Sequence, residues 1–284
     1  MMSQTKTAFV FAGGGSLGAV QVGMLAPLLD AGLRPDLIVG SSVGALNAGF
    51  FAGDPTPQGV ARLADIWRPL RRRDIFRVSL RGALGMLGSS EAVFDPGGLR
   101  RLIEGSLPYT NLEDAPVPIH VVATSLAGET VRLSSGPAVQ AILASAAIPA
   151  VFPTVEIGDA RLMDGAVSGN TPILTAVELG AERLIVLPTG FACAPGDTPM
   201  GALARGFHAL TLLIAHQMVR DLALIKGQVQ VHTVPSLCPL TVSPFDFGHT
   251  QSLIDRATEV TRRWLDSGGL ERQEIPGEMI AHSH

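Results

Sequence analysis

A chain of 284 residues with 21 Lys plus Arg against 25 Asp plus Glu has a formal net charge of −4 at pH 7. That balance excludes a strongly basic nucleic-acid binder. Hydrophobic residues make up 46% and charged residues 16%, which excludes intrinsic disorder and supplies material for one large core. No run reaches the roughly 18 uninterrupted apolar residues of a spanning helix. The opening MMSQTKTAFVFAGGG lacks the charged start, long apolar stretch and cleavage site of a secretory signal. Cys193 and Cys238 have no metal-like spacing, so two ordinary thiols in a reducing, cytoplasmic compartment are expected. The low charge also suits a protein peripheral to a membrane.

In chain order, Thr5 to Ala12 reads as a first strand, Ala19 to Ala31 as a helix, Asp36 to Gly40 as a second strand and Ala45 to Phe51 as a second helix. Such alternation implies βαβ units and a parallel sheet. The segment from about Asp54 to Pro118 breaks the pattern with prolines, the run LGMLGSS and six arginines: Arg68, Arg71, Arg72, Arg73, Arg77 and Arg81. It reads as an insertion or lid within a single domain. Further strands are expected at Ile119 to Thr124, Thr130 to Ser134, Arg161 to Met163, Arg183 to Leu187 and Val229 to Val234. Helices are expected at Pro137 to Ala147, Pro172 to Leu179, Gly201 to Lys226 and Thr250 to Leu265.

Three motifs carry chemistry. Gly13-Gly14-Gly15-Ser16-Leu17-Gly18 follows the first strand and opens a helix, where backbone amides can turn toward an anion or oxyanion. Positions 13, 15 and 18 also satisfy the dinucleotide fingerprint GxGxxG, but the acidic residue that should end the second strand is missing, since Asp36 precedes it. A dinucleotide-binding oxidoreductase therefore stays open as an alternative. Gly40-Ser41-Ser42-Val43-Gly44 is a GxSxG between strand and helix, the context of a nucleophile elbow, with Ser42 as the nucleophile and a structural turn as the plainer reading. Asp164-Gly165 ends a short strand with a carboxylate, or is merely an Asp-Gly turn. A serine needs a base, yet none of His208, His216, His232 and His249 sits in a loop that plainly presents it.

Taken together the motifs resemble the patatin-like phospholipase family of serine acyl hydrolases. Ser145-Ala146-Ala147-Ile148-Pro149 with Phe152-Pro153, Asn170-Thr171-Pro172, and Phe245-Asp246-Phe247-Gly248-His249-Thr250 are similar to further family segments. The resemblance implies a three-layer α/β/α fold with a mostly parallel central sheet and the elbow after the second strand. It implies a dyad of Ser42 and Asp164 in place of a triad, so no histidine is needed. It further implies an oxyanion hole from the amides of Gly13, Gly14, Gly15 and Ser16, with Val43 as a further candidate and Gly18, Gly40, Gly44 and Gly165 in supporting positions. The substrate would be a lipid or other acyl ester of phospholipase A or lysophospholipase type, with no metal or other cofactor. Family members often carry arginine where this chain has Leu17. The arginine cluster, interleaved with apolar residues, suggests contact with an anionic membrane surface. A non-catalytic lipid- or protein-binding regulator on the same scaffold remains the second alternative.

Overall fold

A computed structural model describes residues 5–78, 92–190, 213–214 and 217–272. The run LGMLGSS, Arg81, Cys193, His208, His216 and most of the helix expected from Gly201 lie outside them. The strands are β1 (Thr7–Phe11), β2 (Leu37–Ser41), β3 (Arg77–Val78), β4 (Phe94–Asp95), β5 (Ile119–Ser125), β6 (Thr130–Leu133), β7 (Val155–Ile157), β8 (Ala160–Asp164), β9 (Arg183–Leu187) and β10 (Gln230–Thr233). β3 and β4 form a separate pair. The other eight make one sheet in the order β10-β9-β1-β2-β5-β8-β7, with β6 also on β5. The helices are α1 (Gly18–Asp30), α2 (Val43–Gly53), α3 (Pro57–Trp67), α4 (Arg72–Ile75), α5 (Gly97–Ser106), α6 (Ala138–Ser145), α7 (Ala166–Gly169), α8 (Ile173–Glu178) and α9 (Thr250–Asp266).

The central strands TAFVF, LIVGS and RLIVL are apolar almost throughout because both of their faces are covered. Side-chain alternation then divides the core into two layers. Phe9, Phe11, Ile38, Ile185 and Leu187 face a core shared with α1, α2, α3 and α9. Ala8, Val10, Leu37, Val39, Leu184 and Val186 face another, shared with Ile173, Ala176, Met218, Leu222 and Ile225. The result is three layers, α/β/α. Within the segment expected as an insertion, Val60, Leu63, Ala64 and Trp67 of α3, Leu99 and Ile103 of α5, and Leu112 are buried in the first of these cores.

The expectation of a parallel sheet holds for β10, β9, β1, β2 and β5, whereas β6 and β8 each pair antiparallel with β5, and β7 pairs antiparallel with β8. The exception follows from β5, which has three partners. Val121 and Val122 pair with both β2 and β6, so those two strands lie on opposite edges. Ala123 and Thr124 pair with both β6 and β8, so β8 shares the edge of β2. The two strands therefore meet end to end, with Ser41 opposite Val122 and Asp164 opposite Ala123.

Buried polar groups join α1, α2 and α3 above this sheet. Gln21 Nε2 donates to the carbonyls of Ala12 at 2.8 Å and Leu187 at 2.9 Å. Asn47 Nδ2 donates to Gly18 O at 2.9 Å and Gln21 Oε1 at 2.8 Å, and Trp67 Nε1 donates to Asn47 Oδ1 at 2.8 Å. Asn47→Leu keeps the approximate shape but leaves the indole N–H, Gly18 O and Gln21 Oε1 short of a partner. The expected loss is about 3 kcal/mol, read as a lower urea midpoint with unchanged slope.

Candidate active site

The sharp exit of β2 is where the first site residue stands. Ser42 has φ 55° and ψ −128°, and α2 begins at the next residue, Val43. A non-glycine residue held at positive φ is strained, and such strain persists only where the surroundings over-determine it. Gly44 is one of the determinants: a Cβ there would run into the carbonyl oxygens of Phe11 and Ala12, so only glycine lets α2 start this close to β1. Gly40 lies under the same first turn of α2.

Ser42 Oγ donates to Asp164 Oδ2 at 2.7 Å. The other carboxylate oxygen accepts from Ala166 N at 2.8 Å, at the first residue of α7. Gly165 turns the chain between them, packed on the Val122 carbonyl. Ser42 is 6% and Asp164 2% exposed. Burial pushes the Asp164 carboxyl up to about 7, and the Ala166 amide and the Ser42 hydroxyl pull against that rise.

The glycine-rich loop passes directly over the serine: a Cβ on Gly13 would lie 3.0 Å from Ser42 Cβ. Gly14 and Gly15 have φ of 158° and 59°. The loop is tied at both ends. Thr189 Oγ1 donates to Gly13 O at 2.7 Å, Gly13 N to Asn170 O at 2.9 Å, and Ser16 N to Pro244 O at 2.7 Å. The amides of Gly13 and Ser16, both expected to face an oxyanion, are thus bonded to carbonyl groups. Among the described residues the amides of Gly14, Gly15 and Val43 have no hydrogen-bond partner. Gly18 opens α1 against Val43 and Trp67, and Leu17 is buried in the core, a position unsuited to a charged side chain.

Among the described residues no histidine hydrogen-bonds Ser42 or Asp164. His249 is exposed and lies 3.4 Å from Asp246 Oδ2. His232 is buried in β10, paired in register with Ile185, and burial lowers its basicity. Asp36 accepts from Thr7 N at 2.7 Å, which places it at the start of β1 and β2, the opposite end of the sheet from Gly13–Gly15. It cannot serve a ribose beside the glycine loop, so the dinucleotide reading loses its acidic partner. No cluster of three or more His, Cys, Asp or Glu suited to a metal occurs among the described residues. No described helix is long and apolar enough to cross a membrane.

Fold and site together define a three-layer α/β protein in which a serine on a strand-to-helix elbow faces a buried carboxylate beneath a glycine-rich loop. The chain belongs to the patatin-like phospholipase family, whose sequence model matches residues 9–177. It is 26% identical over 221 residues to a lysophospholipase NTE1 of Scheffersomyces stipitis, covering 74% of this chain and 13% of that protein. It is 29% identical over 191 residues to an uncharacterized NTE family protein of Mycobacterium tuberculosis, covering 65% of this chain and 49% of that one. The chain thus spans half or less of these curated relatives. Its fold is similar to that of VipD from Legionella pneumophila, with a TM-score of 0.50 at 13% identity, covering 93% of this chain and 67% of that one.

A buried acid has a measurable consequence for stability. The native carboxyl titrates at about 7 against an ordinary value of 3.8, so between those pH values the folded state binds more protons than the unfolded state. Stability is lost as pH rises through that window. Asp164→Asn keeps the shape, can still accept from Ala166 N and removes the ionisation. Its melting temperature should exceed that of the parent by roughly 5 °C or more at pH 8, with the difference closing as pH falls to 4.

Proposed function

We propose that this chain is a serine acyl hydrolase acting on lipid esters, of the phospholipase A or lysophospholipase type, with Ser42 as nucleophile and Asp164 as its base. The observation that carries the reading is the 2.7 Å hydrogen bond from Ser42 Oγ to Asp164 Oδ2 on a strained elbow. A serine hydroxyl is a poor nucleophile until a neighbouring base takes its proton. An ordinary carboxylate is too weak a base for this at neutral pH, but one raised to about 7 by burial is matched to it. Membership of a phospholipase family and similarity to a protein named lysophospholipase support the lipid-ester class.

In the proposed sequence Asp164 accepts the hydroxyl proton as Ser42 Oγ attacks the ester carbonyl carbon. The negative charge that develops on the carbonyl oxygen is met by the unpartnered amides of Gly14, Gly15 and Val43. The intermediate collapses with loss of the alcohol, which takes the proton from Asp164, and leaves an acyl-serine. Water then attacks the acyl carbon while Asp164 takes its proton, and the second collapse returns the proton to Ser42 and releases the fatty acid. Every step uses groups of the chain, substrate and water.

The arginine-rich corner after α3 supports contact with anionic lipid. Arg68 is held by Asp65 and Gln251, and Arg71 donates to the carbonyls of Arg68 and Leu70. Arg72, Arg73 and Arg77 are exposed and have no ion-pair partner among the described residues. Beside them Phe76 joins the rings of Phe94, Phe152 and Phe245 at centroid distances of 5.5 to 5.7 Å.

Ser42→Ala should abolish both hydrolysis of a p-nitrophenyl ester and labelling by a fluorophosphonate, with the fold intact by circular dichroism. Asp164→Asn should lower kcat by roughly a hundredfold or more. The acid limb of kcat/KM in the parent should fall near pH 7, the rate being lost below it as Asp164 takes up a proton. Unchanged turnover in Ser42→Ala would exclude the acyl-serine route. Replacing Arg72, Arg73 and Arg77 by Gln should weaken cosedimentation with phosphatidylglycerol vesicles, about 1 kcal/mol per arginine at low salt. The difference should shrink in high salt, and hydrolysis of a soluble ester should be unaffected.

A further inference from the structure

The end-to-end meeting of β2 and β8 leaves backbone groups that no strand can satisfy. β2 stops pairing at Ser41 and β8 at Asp164, so the amides of Ser42 and Gly165 need partners from elsewhere, as buried backbone groups do. One residue serves both. The Ser145 hydroxyl, at the last position of α6, accepts from Ser42 N at 2.8 Å and donates to Val122 O at 2.5 Å. The Ser145 carbonyl accepts from Gly165 N at 3.1 Å, and two residues on, Ala147 O accepts from Asp164 N at 2.9 Å. Ser145 is fully buried, and it ends a helix, AVQAILAS, whose other buried residues are all apolar.

We infer that Ser145 is the positioning residue of the site: its hydroxyl wedges between Ser42 N and Val122 O, and its carbonyl ties the end of β8 to the same point, so that the Ser42 side chain is aimed at Asp164. This rests on the dyad reading given above. The physical argument is the rung that Ser145 prevents. Ser41 is opposite Val122, and a direct bond from Ser42 N to Val122 O would extend the β2–β5 ladder, relax φ from its strained 55° and swing Ser42 Oγ off the carboxylate. Placing one hydroxyl in that gap keeps both backbone groups satisfied and the elbow bent. The atom must donate and accept at once on a one-carbon reach, which serine supplies and alanine does not. The bonds Ser145 makes at the site are all to backbone groups, Ser42 N, Val122 O and Gly165 N, so it acts through the backbone.

The test compares Ser145→Ala and the near-isosteric Ser145→Cys with the parent, on a soluble p-nitrophenyl ester, with active sites counted by fluorophosphonate titration so that unfolded material does not enter the rate. The expected result is a kcat per titrated site lowered roughly 10- to 100-fold by misaimed Ser42, with KM changed much less. The acid limb of kcat/KM should also move to higher pH, because Asp164 loses the Ser42 hydroxyl that holds its carboxyl down. Among the described residues no charged side chain contributes at that carboxyl, where the Ala166 amide is the other hydrogen-bond partner. If both variants retain the parent kcat per site and the parent acid limb while losing only thermal stability, Ser145 is a packing residue and the inference fails. Should Ser145→Ala not fold, Ser145→Cys alone decides between these outcomes. Failure of the dyad reading is seen separately, as turnover persisting in Ser42→Ala.

Discussion

The site depends on one edge of one strand. β5 gives four residues, Ile119 to Val122, to β2 and the next three, Ala123 to Ser125, to β8, so the ends of two chain segments far apart in sequence are brought to neighbouring rungs. Neighbouring rungs are about 3.3 Å apart along a strand, the scale of a hydrogen bond between the residues that leave them. Strand direction is what makes the meeting productive. Because β8 runs antiparallel to β5, its last residue, Asp164, faces the last residue of β2. A parallel β8 on the same edge would present its first residue, Ala160, and carry the carboxylate a strand's length away. The reversed direction of β8 on the edge it shares with β2 is therefore the feature that sets Ser42 opposite Asp164.

Burial of that carboxylate opposes stability and suits the proposed chemistry. A carboxyl taken out of water keeps its proton to higher pH, and here two hydrogen bonds recover only part of what solvent supplied. The same environment brings its basicity to the neutral range, where a general base is most effective. Ser42 shows the same opposition in the backbone, since its positive φ is a strain that α2, the glycine loop and Ser145 together hold in place. Such local costs are supported by the surrounding core, where Phe51 of α2 stacks on Phe9 of β1 with ring centroids 6.0 Å apart.

The layer above the sheet explains how the glycine loop stays in register with the elbow. Gln21 bonds to the carbonyl of Ala12, just past the end of β1, and to the last carbonyl of β9, and Asn47 joins Gln21 to Trp67 of α3. α3 belongs to the segment whose prolines and arginines suggest a lid, yet its apolar face is part of the central core. Its spacing of Val60, Leu63, Ala64 and Trp67 is a helical pattern, legible once the arginines are seen to lie on the exposed side and beyond its end. The short strand Val155–Ile157 is a quieter omission: three residues beside a proline carry too little periodicity to register without the partner that β8 provides.

Local interactions made much of this protein readable from its residues. Apolar runs buried on both faces marked β1, β2 and β9, Arg183–Leu187 to the residue, and the glycines of GGGSLG and GSSVG marked tight strand-to-helix turns, because steric limits on φ and on close approach act within a few residues. The three motifs could be seen separately for the same reason. Their meeting could not, since Ser42 and Asp164 are 122 residues apart and only pairing along β5 brings them together. Tertiary structure also decided which amides remain free. Gly13 and Ser16 look equivalent to Gly14 and Gly15 in the sequence, but the carbonyls of Asn170 and Pro244, reached only through the folded chain, take up the first two. Ser145 was visible as part of an alanine-rich segment without any sign of a task, because a hydroxyl's role is set by the donors and acceptors that the fold leaves unpaired around it.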